Sequence, residues 1–80
     1  MDRDIILKQG GQVITDGEVE WYSGSEAHTH PRRIRIDDVW EQVFQSDKKI
    51  EEDRKGQRSI VFRCHIGDNR IIDVLVAAPP

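Results

Sequence analysis

Hydrophobic and polar positions alternate along much of this chain, with the period of half-buried strands. The pattern is clearest in the last third. From Arg58 to Ile66, the residues Ile60, Phe62, Cys64 and Ile66 fall on one face. Gly67-Asp68-Asn69 then predicts a three-residue hairpin turn, with Asn69 in the left-handed position, and Arg70 to Ala77 returns antiparallel. This register sets Cys64 opposite Ile72, Phe62 opposite Val74 and Ile60 opposite Val76. The other face carries Arg63 opposite Asp73, Val61 opposite Leu75 and His65 opposite Ile71. With both faces partly apolar, a curved sheet or small barrel suits the pair better than a flat sheet with one wet side. Pro79 and Pro80 cannot donate ladder bonds and end the strand.

Upstream the elements are shorter. Asp4 to Lys8 is a brief apolar run, broken at Gln9-Gly10-Gly11-Gln12, and Val13-Ile14-Thr15 is β-branched and strand-like. Asp16-Gly17 predicts a two-residue type I′ hairpin turn. In Glu18 to Ser23, Val19 and Trp21 share one face and Glu18, Glu20 and Tyr22 the other. A polar loop runs from Gly24 to Pro31. Beyond it Ile34 and Ile36 point inward and Arg33 and Arg35 outward. Asp37-Asp38 predicts a turn and Val39 to Gln45 a strand, in which a bulge would bring Trp40 and Val43 to one face. Ser46 to Gln57 is rich in helix formers but has Ile50 as its one apolar residue, too little to dock an amphipathic helix. It predicts a mobile charged connection with at most a short helical turn near residues 47–55.

The elements add up to a single all-β, mostly antiparallel domain over residues 1–80. Its expected form is a small SH3-like barrel or curved sheet of five to six strands. A chain of 80 residues buries only roughly 60–65% of the surface its unfolded form exposes, so the core must be small and well packed or extended by a partner. Only 36% of residues are hydrophobic and 34% are charged, yet blocks such as Ile60-Val61-Phe62 belong to a folded domain. The formal charge of −3, with acids and bases interspersed, argues against non-specific nucleic-acid binding but leaves room for a local basic patch. A lone cysteine excludes an internal disulfide. The first apolar run is shorter than a signal peptide or a membrane helix requires, so a cytoplasmic location without membrane association is the expectation.

Three clusters carry candidate chemistry. The segment Tyr22 to Arg33 holds His28, His30, Pro31, Arg32 and Arg33 between strand patterns. His-x-His is a ligand spacing in extended chain, and with Cys64 or His65 it sketches a zinc site. Alternation opposes this, because it turns Cys64 inward and His65 outward. The same burial argues against Cys64 as a nucleophile, which needs exposure and a stabilised thiolate. Arg32, Arg33 and Arg35, with Tyr22 and Trp40 nearby and Arg63 as an extension, form an outward stripe able to hold phosphate or stack on bases. Glu18, Glu20 and Glu41 are the acids expected to neutralise that stripe across the sheet. The charged run Asp47 to Lys55 is expected to be solvated. Trp21 and Trp40 belong to the core edge, or to an interface if the barrel is too small to cover them.

The order of motifs resembles a group of short bacterial proteins of unknown function. Val19-Glu20-Trp21-Tyr22-Ser23-Gly24, Pro31-Arg32-Arg33-Ile34, Phe62-Arg63-Cys64 and Ile71-Ile72-Asp73-Val74 carry the likeness, which spans Glu18 to Val76. The chain departs from the pattern at Gly67-Asp68-Asn69 and in its longer charged connection. The resemblance implies no activity, cofactor or site residues. The expectation is a non-enzymatic interaction or accessory module without a cofactor, engaging a protein partner or a second copy of itself. Its candidate binding residues are Arg32, Arg33, Arg35 and Trp40. The alternatives are a nucleic-acid-associated module using the arginine face and a metal protein using His28 and His30.

Overall fold

The computed structural model describes residues 5–23 and 29–78. Its strands are β1 (Ile5–Gln9), β2 (Gln12–Ile14), β3 (Gly17–Trp21), β4 (Pro31–Ile36), β5 (Val39–Gln42), β6 (Gln45–Glu52), β7 (Arg58–Ile66) and β8 (Arg70–Ala77). They form a five-stranded sheet in the order β2-β1-β8-β7-β6 and a three-stranded sheet in the order β3-β4-β5, and every described pairing is antiparallel. The all-β antiparallel class is as expected. The strand number is not: the described residues form eight strands instead of five or six, and of the expected barrel or curved sheet they show two sheets with no closed barrel.

The hairpin of β7 and β8 has the predicted register, from Ser59 opposite Ala77 to Ile66 opposite Arg70. Its turn places Asp68 and Asn69 at positive φ. β-Branched residues on both strands fill one face, and Cys64, Ile72 and Val74 are fully buried there. Leu7, Ile34, Val43, Phe62, Ile66 and Val76 complete the core between the two sheets, with Trp21, Val19 and Ile36 packed on its margin.

Four local expectations are corrected. The two-residue turn is Gly10-Gly11, both at positive φ as a type I′ turn needs, and it pairs β1 with β2. Asp16-Gly17 instead carries the chain from one sheet to the other. A Cβ on Gly17 would lie 2.6 Å from Leu7 Cδ1 and 2.8 Å from the Arg35 carbonyl oxygen, so a side chain has no room at the crossing. Second, the bulge lies in β4 and not between Trp40 and Val43. Glu20 pairs with Arg33 and Trp21 with Pro31, leaving Arg32 as the extra residue. The bulge lets Pro31 and Ile34, an odd spacing apart, both be buried.

Third, residues 47–55 hold no helical turn. Gln45 to Glu52 pair with β7, Ile50 opposite Ile60, and Asp53 closes the hairpin by accepting bonds at its carboxylate from the Lys55 and Gln57 amides. A helix here would bury one isoleucine and leave the β7 backbone without a neighbour, whereas a strand satisfies β7 along its length. Fourth, Pro31 does not belong to the polar segment expected from Gly24 to Pro31 but opens β4, which pairs with β3, and the Tyr22 amide donates to the His30 carbonyl at 3.0 Å beside that pairing. Gly24 to His28 of this segment, and Pro79 and Pro80, lie outside the described residues.

The second crossing between sheets is at Val43-Phe44. The Val43 amide donates to the Arg32 carbonyl in the small sheet, and the next amide, of Phe44, donates to the His65 carbonyl in the large one. Val43 is buried at this corner while Phe44 is 68% exposed.

Candidate functional site

The outer face of the three-stranded sheet gathers the residues singled out from the sequence. Alternation along β4 turns Arg33 and Arg35 outward, and cross-strand pairing sets Arg35 between Glu18 on β3 and Trp40 on β5. Arg33 lies between Glu20 and Gln42 in the same way. The Arg33 guanidinium carbon stands 4.9 Å from the centre of the Trp40 ring, and that of Arg32 stands 6.0 Å from the centre of the Tyr22 ring. Both distances fall within the range of cation–π attraction. Trp40, 39% exposed, thus sits on an open surface and not at the core edge. Arg32, Arg33, Arg35 and Trp40 therefore share one neighbourhood. Arg63 does not join them. It lies on the outer face of the large sheet and pairs with Asp73 at 3.3 Å, a contact worth about 0.2–1 kcal/mol.

The arginine face is not a bare cationic patch. Arg33 donates from Nε to Glu20 Oε1 and from Nη2 to Oε2 at 3.2 Å. Arg35 donates to Glu18 at 3.0 Å and lies 3.6 Å from Asp16. The hydrogen bond from Arg33 holds the Glu20 carboxyl below its ordinary range. The same bond raises Arg33, and the bond to Glu18 raises Arg35. Both cations stay charged and their charge is met locally. Glu41 plays no part in this, contrary to expectation. It alternates with Trp40 and Gln42, opposite the buried Ile34 on the inward side of β5, and pairs with Arg70 of the large sheet. A carboxylate at an inward position demands a cation, and that alternation was the signal for this intersheet bond.

The histidines are placed apart. His28 lies outside the described residues. His30 is half-buried, its Nδ1 2.6 Å from Ser46 Oγ and its ring edge-on to Phe62 at 5.3 Å. Trp21 meets the same phenyl ring edge-on at 5.4 Å. His65 is on the outer face of the large sheet, opposite Ile71. Cys64 is fully buried, and burial, with a smaller contribution from the Asp73 charge, pushes its thiol from the ordinary 9.0 up to about 12. Such a thiol is neither a nucleophile nor a ready ligand at neutral pH. Among the described residues no three of His, Cys, Asp and Glu converge as a metal site.

One element has no counterpart in the hydrophobic pattern of the chain. Strand β6 is the last of the large sheet, and Asp47 to Glu52 are all exposed along it. An edge strand needs no apolar stripe, so alternation of hydrophobic residues does not reveal it. No family model, curated protein or solved structure matches the chain.

Proposed function

We propose that this chain is a cytoplasmic, non-enzymatic interaction module on a small SH3-like two-sheet scaffold, and that it binds a protein partner through the outer face of β3-β4-β5. The observation that carries the reading is the Trp40 ring, left open to solvent with the Arg33 guanidinium held over it. Tryptophan, tyrosine and arginine dominate the energetics of protein interfaces, and a guanidinium fixed by Glu20 loses little freedom on binding. Tyr22 and Arg32 extend the same chemistry toward the tip of the β3-β4 hairpin.

The runner-up, nucleic-acid contact by Arg32, Arg33 and Arg35, is disfavoured by the carboxylates of Glu18, Glu20 and Asp16 against the arginines. A polyanion would have to displace them. The reading of His28 and His30 as metal ligands is disfavoured by the engagement of His30 with Ser46 and Phe62. The likeness to short bacterial proteins of unknown function belongs to this proposal and brings no activity with it.

The test is capture of partners by immobilised wild-type protein and by Trp40→Ala and Arg33→Ala variants of unchanged fold. A protein held by the wild type and lost by both variants supports the reading. Partners that both variants retain, or salt-sensitive amide shifts on β4 with an oligonucleotide, would overturn it.

A further inference from the structure

Among the described residues β7 is the one strand that pairs with β6, so β6 is the edge strand of the large sheet as described. Edges of this kind template pairing, and proteins blunt them with short strands, proline, bulges or lysine. β6 is eight residues long, has no proline and pairs with β7 without a register shift from Gln45 to Glu52. It does carry Lys48 and Lys49. These are followed by Ile50, 55% exposed, and by Glu51 and Glu52.

We propose that this edge is the interface of a homodimer, in which β6 pairs antiparallel with β6 of a second copy about a two-fold axis through Ile50. The charge order along the strand argues for this occupant. Antiparallel pairing about Ile50 sets Lys49 opposite the partner's Glu51 and Lys48 opposite the partner's Glu52, and the symmetry repeats each contact. The two Ile50 side chains meet on the axis, on the face that also carries Ile60. Moving the axis one residue in either direction sets Lys49 against Lys49 or Glu51 against Glu51. Opposite charges directly across a ladder stabilise it and like charges destabilise it, so the sequence selects one register.

The same order separates this pairing from simple edge protection. Lysines alone repel incoming strands of any sequence that carries positive charge. Two lysines followed by two glutamates instead match a strand of reversed order, which a second copy running antiparallel provides. Within one chain Lys49 Nζ already lies 3.1 Å from Glu51 Oε2, so the dimer would surround each charge with opposite ones. The complementary stretch ends at Asp47, whose opposite residue, the partner's Asp53, is already engaged by its own turn amides. The two large sheets would become one of ten strands, extending a small core across the axis as an isologous interface.

Sedimentation equilibrium at low salt, from about 1 µM to about 1 mM, tests the pairing. Wild-type protein should dimerise. Lys48→Glu/Lys49→Glu and Glu51→Lys/Glu52→Lys should each weaken self-association at least about tenfold, since every cross-strand pair becomes repulsive. An equimolar mixture of the two should recover a heterodimer, because one strand is then all-acidic and the other all-basic around Ile50. The fourfold exchange of both sites in one chain should dimerise like wild type, which keeps the test valid if either double variant folds poorly. A wild type that stays monomeric over this range would overturn the proposal. So would variants that dimerise unchanged, or a mixture that stays monomeric.

Discussion

His30 Nδ1 shares a 2.6 Å hydrogen bond with Ser46 Oγ, joining the residue that enters β4 of the small sheet to the edge strand β6 of the large one. The imidazole is held from two sides, by this hydroxyl and by the edge of Phe62. Truncating the ring removes both contacts and opens space beside a buried aromatic residue. His30→Ala should lower the unfolding free energy by about 1–3 kcal/mol, and Ser46→Ala by about 0.5–1.5 kcal/mol. Urea denaturation of the two single variants and the double variant measures the coupling between them. Additive effects would mean that the bond contributes nothing. A zinc-dependent rise in melting temperature that His30→Ala abolishes would return this histidine to a ligand role.

Gly17 predicts a cost of a different kind. Its φ is ordinary, so alanine there is not disfavoured by backbone conformation. The difficulty is space: a Cβ would meet the buried Leu7 side chain and the Arg35 carbonyl. Gly17→Ala should destabilise by about 1–3 kcal/mol, the usual range for forcing a methyl into a packed site. Gly10→Ala has nothing within 4 Å and is opposed only by a positive φ. It should cost about 1 kcal/mol. Thermal melts that rank Gly10→Ala as the worse substitution would show that the crossing between sheets relaxes easily.

These two glycines also show what was legible in the sequence. The β7-β8 hairpin could be read residue by residue because its turn, alternation and register are local and agree with one another. Gly10-Gly11 and Asp16-Gly17 are both plausible turn signals, and nothing local decides between them. The choice is made by the pairing of Leu7 with Ile14 and by the docking of the second sheet over Leu7. The outward arginines followed from alternation along β4, and so did the acids opposite them on β3. The bulge at Arg32 did not, because it answers to the burial of Pro31 at the sheet margin. The strand β6 was hidden because its partner is a backbone edge and not an apolar groove.

Cys64 predicts a pH dependence. Its folded pKa, pushed up to about 12, lies above the ordinary value of 9.0 that the unfolded chain would show. Below 9.0 the thiol is protonated in both states and its contribution to stability is constant. Above 9.0 the unfolded state releases the proton first, so stability falls as pH rises toward 12. Urea denaturation from pH 8 upward, in wild type and Cys64→Ala, separates this slope from that of lysines and tyrosine. The variant should start less stable, by about 1–2 kcal/mol for the vacated volume, and should lose stability less steeply at high pH. A thiol reagent at pH 8 should modify the native protein only at the rate of unfolding. Rapid modification under native conditions would contradict the burial of Cys64.

The carboxylates on β3 predict a gain of binding on their removal. Glu18 and Glu20 occupy the arginines that a phosphate backbone would need, and the Arg33 bond keeps Glu20 ionised well into acid. At neutral pH the outer face should therefore ignore nucleic acid. A Glu18→Gln/Glu20→Gln variant keeps the shape of both side chains and removes both charges, leaving Arg32, Arg33 and Arg35 to attract anions with Asp16 and Asp38 still acting on Arg35. It should gain affinity for a single-stranded oligonucleotide, and that affinity should fall as salt is raised. Acidification should act in the same direction on the wild type, because the stabilising charge on Glu20 is lost as pH falls through its lowered pKa. Fluorescence of Trp40, which lies under the Arg33 guanidinium, gives a local readout of occupancy, with Trp40→Phe as the control against signal from Trp21. Tight, salt-sensitive binding by the unmodified protein at neutral pH would show that the carboxylates do not guard the face, and would replace the proposed protein-binding role with a nucleic-acid one.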